Sequence, residues 1–383
     1  MQTINPSEFV HLHVHSQYSL LDGAIRITDL LQRVTEFGMK SVALTDHGTM
    51  FGTIDFYGKA VQAGIKPIIG CECYVAPRRL TDKTPKDHKG LTHLILLAEN
   101  IIGYRNLCRM VTAAQLEGFY YKPRIDKQIL TAHHEGLIAF SACLHGEIPT
   151  LIRRNRLKEA DAAAQQYLKL FGEGNFFLEV QNNGIDIQHT VNQGLLDMSR
   201  RLSIPLVASN DCHYLDKKDV HAHDVLLCIQ TGKTVNDAER LKFRTDQLYF
   251  KSPQEMADIF ADYPGALQNT ARIAERCDLT FDFKTYHFPK FEAPEKQSEA
   301  EYFEERVFAR SKAYDDFVDK LARFRKKNPE AFKDLDLPTR LTFAVIDEMR
   351  GKLTRQGLAE LGIDLRGSFV LYGEGIWPVF RFT

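Results

Sequence analysis

Up to about residue 290, short apolar runs alternate with stretches of helical period. The runs are Phe9 to His15, Ser41 to Asp46, Lys66 to Val75, Thr92 to Ala98, Gly136 to Ser141, Asn175 to Val180 and Ile204 to Ser209. Several are nearly continuous in apolar residues, as Thr-His-Leu-Ile-Leu-Leu-Ala is from Thr92. That pattern predicts parallel strands buried on both faces. Between them, Ile27 to Phe37 reads as a helix with Thr28 as its cap and Gly38 as its stop, and a second helix runs to Ala63 and stops at Gly64. Tyr104 to Leu116 and Lys158 to Leu170 show the clearest period of outer helices, whereas Thr81 to Lys89 and Glu117 to Ile125 read as loops. About seven β-α units predict an α/β barrel with one unit fewer than the usual eight. An open, doubly wound sheet is the alternative.

The pattern changes after Pro289 to Pro294. Ser298 and Glu301 form a capping box. Phe303, Val307, Tyr314, Phe317, Leu321 and Phe324 then fall on one helical stripe, which ends in the basic run Arg323, Arg325, Lys326 and Lys327. A basic run at a helix C-terminus reads first as a solvated end favoured by the helix dipole, and only second as a DNA contact. The last stretch has turn signals at Gly373, Gly375 and Pro378 and the single Trp377, and its pattern assigns no fold. Residues 295–383 are therefore read as a short, mainly helical C-terminal segment.

Composition adds constraints. The 383 residues carry 49 Lys+Arg against 50 Asp+Glu, a net charge of −1. Such a balance excludes a broadly basic DNA-coating protein but leaves room for a local basic groove. No apolar run approaches the roughly 18 residues of a membrane helix. The first residues lack the basic and apolar parts of a signal peptide, so a cytoplasmic chain with no membrane partner is expected. Seven cysteines, an odd number with no CxxC pair, argue against a disulfide framework and a zinc ribbon. The informative count is 14 His, all at or before His287.

Residues able to bind metal gather at the ends of the apolar runs. The first run supplies His13 and His15, followed by Asp22; the second ends in Asp46 and His47, and the third holds Glu72. Cys143 follows the fifth run, and Asp211 and His213 follow the last. His93 is the exception, because it opens its run. The C-terminal strand ends of a barrel converge on one mouth, and a spacing of two along a strand points both side chains to the same side. Taken singly, each residue has a simpler reading: a hydrogen-bonded core histidine, a turn at Asp22, a helix cap at Asp46, a small buried thiol at Cys143. Taken together they read as a multi-metal site. Imidazole and carboxylate suit zinc or manganese, and one carboxylate can bridge two ions. Metal lowers the pKa of bound water to about 7, and paired ions clamp the oxygens of a phosphoryl group. The chain has neither a GxxxxGK[ST] loop nor a GxSxG elbow, so phosphoester hydrolysis is the inferred reaction class.

These residues are similar to a known pattern. His-Val-His-Ser from His13, Leu-Leu-Asp-Gly ending at Gly23, Thr-Asp-His-Gly from Thr45, Gly-Cys-Glu from Gly70, His93, Cys143 and Asn-Asp-Cys-His-Tyr from Asn210 resemble the PHP (polymerase and histidinol phosphatase) family. Gly-Tyr-Arg-Asn-Leu from Gly103, Tyr-Lys-Pro-Arg-Ile-Asp from Tyr121, and the stretch from His223 to Lys233 resemble the amino-terminal region of the bacterial C-family replicative polymerases, the DNA polymerase III alpha subunits. The resemblance covers roughly residues 7–294. It implies a distorted (β/α)7 TIM-like barrel holding up to three divalent metals. It implies a first ion among His13, His15, Glu72 and Asp211, which are also the catalytic set. Glu72 would bridge to a second ion held by His93 and Cys143, and Asp22, His47 and His213 would hold a third. Family members with the full set can act as metal-dependent 3′–5′ exonucleases, while some that have lost ligands keep the domain as a scaffold, and this chain resembles the first kind. Its implied partners are the primer 3′ end of DNA and the polymerase III holoenzyme subunits.

The resemblance fades after about Pro294. The Gly-Arg-Gly-Ser and Pro-Asp-x-Asp-x-Asp-Phe stretches of the polymerase core do not occur, and Asp334 and Asp336 read as a turn before Pro338. Nucleotidyl transfer, the activity of a DNA-directed DNA polymerase, is therefore not expected of this chain alone. Two alternatives remain: a free-standing phosphatase acting on a small phosphomonoester, and a non-catalytic platform for the polymerase core and proofreading partners.

Overall fold

The computed structural model describes residues 9–263 and 265–285, and beyond them 297–298, 301–302, 323, 326, 369–372 and 375–378. The chain divides into two compact units, Met1–Asp282 and Phe283–Thr383.

In the first unit the apolar runs become β1 (Ser41–Leu44), β2 (Lys66–Val75), β3 (Thr92–Ala98), β5 (Leu137–Phe140), β6 (Phe176–Gln181) and β7 (Leu206–Ser209). They pair in the order β1-β2-β3-β5-β6-β7, with the two-residue β4 (Arg124–Ile125) on the side of β2. The run from Phe9 to His15 forms no ladder of its own, contrary to its reading as a regular strand; it bridges instead. On one flank the amides of Ala43 and Thr45 donate to the carbonyls of His11 and Val14, each at 2.9 Å, and on the other the amide of His15 donates to Cys212 O at 2.8 Å. The segment thus joins the two edges of the curled sheet and closes it as a distorted seven-stave barrel. An open sheet would leave both edges bare.

One strand runs against expectation. β3 is antiparallel to both β2 and β5, with Ile95 opposite Glu72 on one side and Phe140 on the other. The link from β2 stays at the mouth, where Arg124 donates to the carbonyls of Leu80 and Asp82, each at 2.8 Å. The chain therefore enters β3 from the mouth end. Part of that link, read as a loop, is the short α3 (Pro85–Lys89), closed by a capping box between Thr84 and Asp87. Helix α1 (Ile27–Glu36) begins one residue before Thr28, with Arg26 at the cap position and no side-chain cap, so Thr28 is not its cap. Helix α2 is Thr53–Gln62. Gly38 and Gly64 end these two helices at φ 67° and 70°, which a Cβ would disfavour. The outer helices α4 (Ile101–Leu116) and α7 (Leu157–Phe171) bury Leu107, Met110, Ala160 and Tyr167. Inside the barrel, Leu12, Ile68, Ile95, Ile138, Phe140 and Phe177 form an apolar plug. Polar side chains occupy the level above it.

In the second unit, Ser298 Oγ donates to Glu301 Oε2 at 2.8 Å and accepts from the Glu301 amide at 3.2 Å, the expected capping box. Arg323 and Lys326 are helical; the apolar stripe from Phe303 to Phe324 and the rest of the basic run lie outside the described residues. The unassigned end contains a hairpin of β8 (Phe369–Tyr372) and β9 (Gly375–Pro378), with Val370 opposite Trp377. Among the described residues no helix is long and apolar enough to cross a membrane.

Candidate metal centre

The barrel draws the nine candidate residues to one mouth. His13 and His15 lie on the closing segment, Asp22 in the turn after it, His47 just past β1, Glu72 within β2, Cys143 beyond β5, and Asp211 and His213 beyond β7. His93 ceases to be an exception: because β3 is antiparallel, its first residues lie where the other strands end. Leu21, before Asp22, Ala142, before Cys143, and Asp211 itself adopt φ of 60°, 61° and 51°. Such left-handed non-glycine backbone costs of order 1 kcal/mol or more each and persists where the surroundings enforce it.

Four atoms form the first group: His13 Nε2, His15 Nε2, Glu72 Oε2 and Asp211 Oδ1. Each imidazole nitrogen lies 3.1 Å from Asp211 Oδ1, and they lie 3.3 and 3.1 Å from Glu72 Oε2. The two nitrogens are 3.1 Å apart. Ligands at about 2.0 Å from a tetrahedral ion sit about 3.3 Å from each other, and in octahedral geometry about 3 Å. The other oxygen of Glu72 faces a second group: Oε1 is 2.7 Å from His93 Nδ1 and 3.7 Å from Cys143 Sγ, which is 3.6 Å from His93 Nδ1. In a third group Asp22 Oδ2 lies 3.1 Å from His47 Nε2 and 3.3 Å from His213 Nε2.

Some of these atoms pair with one another, as His93 Nδ1 does with Glu72 Oε1 and His13 Nε2 with His15 Nε2, but four do not. Asp22 Oδ2, His47 Nδ1, Glu72 Oε2 and Asp211 Oδ1 are buried and make no aligned hydrogen bond, although His47 Nδ1 and Glu72 Oε2 are only 2.9 Å apart. Buried ligand atoms that converge on shared points and are left without hydrogen bonds are what a bound cation requires, since buried polar atoms otherwise find partners. The donor set therefore fits divalent ions.

The charge pattern agrees. Burial pulls the His13 imidazole down, but Asp211, Glu179 and Glu72 together hold it well above its usual value. Burial raises the carboxyls of Glu72 and Asp22, yet His47 and His93 beside the first and His213 beside the second keep both well below the usual carboxylate range. Burial, with Glu72 and Asp211 close by, pushes the Cys143 thiol well up. A cation at the centre would reverse that last direction, because metal ligation deprotonates a thiol.

Further residues, most of them passed over in the sequence reading, support the candidate ligands. Glu179 Oε1 lies 2.7 Å from His13 Nδ1 and also accepts from Gln181 Nε2 at 3.0 Å and from Ser209 Oγ. Ser19 Oγ pairs with His15 Nδ1 at 3.0 Å and accepts from the His47 amide at 2.8 Å. His145 Nδ1 is 3.9 Å from Cys143 Sγ. Asp46 caps no helix: its oxygens take the amide and hydroxyl of Ser16, at 2.6 and 3.0 Å, and α2 starts only at Thr53. Partners of this kind fix the tautomer and orientation of a ligating histidine. A signal existed for Glu179, a lone acid in an apolar run, and for His145, two residues beyond Cys143.

Comparison with known proteins matches residues 11–183 to the PHP domain. The chain is 48% identical over 297 residues to the DNA polymerase III subunit alpha of Borreliella burgdorferi, covering 77% of this chain and 26% of that one. It is 45% identical over 298 residues to that of Treponema pallidum (77% and 25%) and 45% over 315 residues to that of Thermus aquaticus (79% and 25%). The chain spans about a quarter of the length of these curated relatives. Among solved structures, an amidohydrolase from Chromobacterium violaceum aligns with a TM-score of 0.34 at 16% identity, over 53% of this chain and 87% of that one. At that score the likeness carries no inference about the reaction. Residues 11–183 belong to the PHP domain family, and the chain that carries them is a homologue of the bacterial DNA polymerase III alpha subunits.

Proposed function

We propose that residues 7–294 form a metal-dependent phosphoesterase domain that removes nucleotides from the 3′ end of DNA, working with the polymerase III assembly. The observation that carries this reading is Glu72, whose two oxygens face two different ligand groups. That is the arrangement of a carboxylate bridging paired ions, and paired ions suit in-line displacement at phosphorus.

His13, His15, Glu72 and Asp211 would hold one ion, Glu72 with His93 and Cys143 a second, and Asp22, His47 and His213 a third; zinc or manganese suits these donors. When bound, such ions make water nucleophilic at neutral pH and neutralise charge on the phosphoryl oxygens. The chain's own residues prepare the site. Glu179 keeps a proton on His13 Nδ1, which leaves Nε2 to face the mouth. Ser19 does the same for His15. Tyr74 stacks on His47 with ring centroids 5.4 Å apart and meets the edge of His93 at 5.1 Å, excluding water from that wall.

The test uses a primer labelled at its 5′ end. With zinc or manganese the chain should shorten it stepwise from the 3′ end, and chelator or Asp211→Ala should abolish this. Rapid hydrolysis of a small phosphomonoester with none of DNA would replace the reading with a phosphatase. If the metal-loaded chain hydrolyses neither, the domain is a platform.

A further inference from the structure

The Tyr121–Asp126 stretch supplies no ligand, yet the fold sets it directly beside the ligands. Lys122 Nζ lies over the Tyr74 ring, 5.4 Å from its centroid, and the same ring stacks on His47. The ammonium is therefore one ring removed from a candidate ligand. Arg124, fully buried, anchors the loop by donating to the carbonyls of Gly118, Asp82 and Leu80, each at 2.8 Å. Pro123 packs so closely on Gly48 that a Cβ there would come within 2.6 Å of the ring.

This anchored loop ends in a strained and exposed aromatic. Tyr121 sits at φ 61°, a conformation that favours glycine, and is 68% exposed. Its ring stays in an aromatic row, 4.7 Å from His88 on one side and 4.7 Å from Tyr120 on the other. The acids nearby are neutralised: Arg78 pairs with Asp87 at 2.9 Å and Arg79 with Asp126 at 3.2 Å. Lys83, Lys86 and Lys89, in the segment that carries His88, are exposed. A rigid exposed ring among cations, beside a phosphoesterase mouth, matches what single-stranded nucleic acid needs: a stacking platform and a contact for the backbone.

We propose that this loop clamps single-stranded DNA at the mouth, with Tyr121 stacking on a base and Lys122 holding a neighbouring phosphate. The choice of DNA rests on the hydrolase reading above; the geometry of the clamp does not. The loop positions the strand and does not take part in bond cleavage.

The test is fluorescence anisotropy of a labelled oligothymidylate with the full chain and chelator present, so that no hydrolysis occurs. Tyr121→Gly relieves the backbone, so its thermal midpoint equals or exceeds that of the wild type, while affinity falls about tenfold, within the range of one base–aromatic stack. Tyr121→Phe keeps the affinity. Lys122→Gln weakens binding and makes the logarithmic salt dependence shallower by about 0.7, the value for one phosphate contact on a single strand. Wild-type affinity in both Tyr121→Gly and Lys122→Gln overturns the clamp, and leaves the hydrolase reading intact if the primer is still shortened. Weakened binding in both, with no primer shortened by the metal-loaded wild type, keeps the clamp and removes the hydrolase.

Discussion

Replacing Glu179 by glutamine changes one atom and removes one charge. The side chain is fully buried and sits beneath His13, whose Nδ1 is 2.7 Å from Oε1. Glutamine keeps an acceptor for that Nδ1–H and for the Gln181 and Ser209 donors, so the packing and the tautomer of His13 survive. What is lost is the charge assistance of the bond. Hydrogen bonds to charged groups contribute about 1.5–3 kcal/mol, against about 0.5–1.5 for neutral pairs, so the difference is roughly 1–1.5 kcal/mol. Oε2 has no hydrogen-bond partner, so an amide nitrogen placed there is a buried donor left unsatisfied, a cost to the fold that is the same with and without metal and does not enter the binding constant. The lost charge assistance is a weakening of metal binding at the His13 site by roughly 5- to 13-fold, toward the lower end of the 10- to 100-fold typical of residues that orient metal ligands. Calorimetric titration with zinc against a competing chelator measures it, with thermal melting of the metal-free variant as the control for folding. A dissociation constant within twofold of wild type, in a protein where His13→Ala abolishes binding, would refute the reasoning.

Stability of the metal-free chain should depend on pH in a defined sense. Despite burial, Glu72 and Asp22 raise His47 from 6.5 to about 9, so its contribution is full below about 6.5 and is lost as pH rises through about 9. Glu72 and Asp22 are depressed, so theirs is present above about 4 and is lost on acidification below it. Melting with chelator across pH 5 to 9 should show a falling midpoint on the alkaline side, which zinc removes because it binds neutral imidazole; a rising midpoint would contradict the charge assignments. Arg124→Ala removes three guanidinium–carbonyl bonds of 2.8 Å and strands buried carbonyls, and denaturant titration should register a loss of about 3–5 kcal/mol, with Arg124→Lys a poor rescue because an ammonium lacks the planar fork. Gly103→Ala would drive its Cβ to 1.8 Å from Gly136 O, so the same titration should show a loss of at least about 1–3 kcal/mol with metal affinity unchanged.

The Gly103 case shows what kind of information the sequence held. Its Gly-Tyr-Arg-Asn-Leu stretch carries a packing requirement between α4 and the turn into β5, whereas Thr-Asp-His-Gly carries a candidate ligand and the glycine beneath the Tyr121 loop. Motif resemblance does not separate the two roles. Glu179 shows the opposite failure. In the run Phe176 to Gln181 it looks like an interruption of an apolar strand, and only the inward face of β6 makes it the partner of His13.

The sequence by itself determined most of the elements and the inventory of candidate ligands. Apolar runs mark strands because burial on both faces demands them, and β2 and β3 match their runs, Lys66–Val75 and Thr92–Ala98, end to end. Histidine and carboxylate at spacings of two mark a shared side because strand side chains alternate. Strand direction was not determined, since a run of apolar residues reads the same in a parallel or an antiparallel ladder. The antiparallel β3 follows from a connection held at the mouth by Arg124, some thirty residues further along the chain. Nor was the closure of the barrel by Phe9 to Ser16, which depends on hydrogen bonds to segments near both Ala43 and Cys212. Local pattern encodes which face of the chain is buried; which segments meet there is set by long-range pairing, and that pairing brings Glu72 to two ligand groups at once.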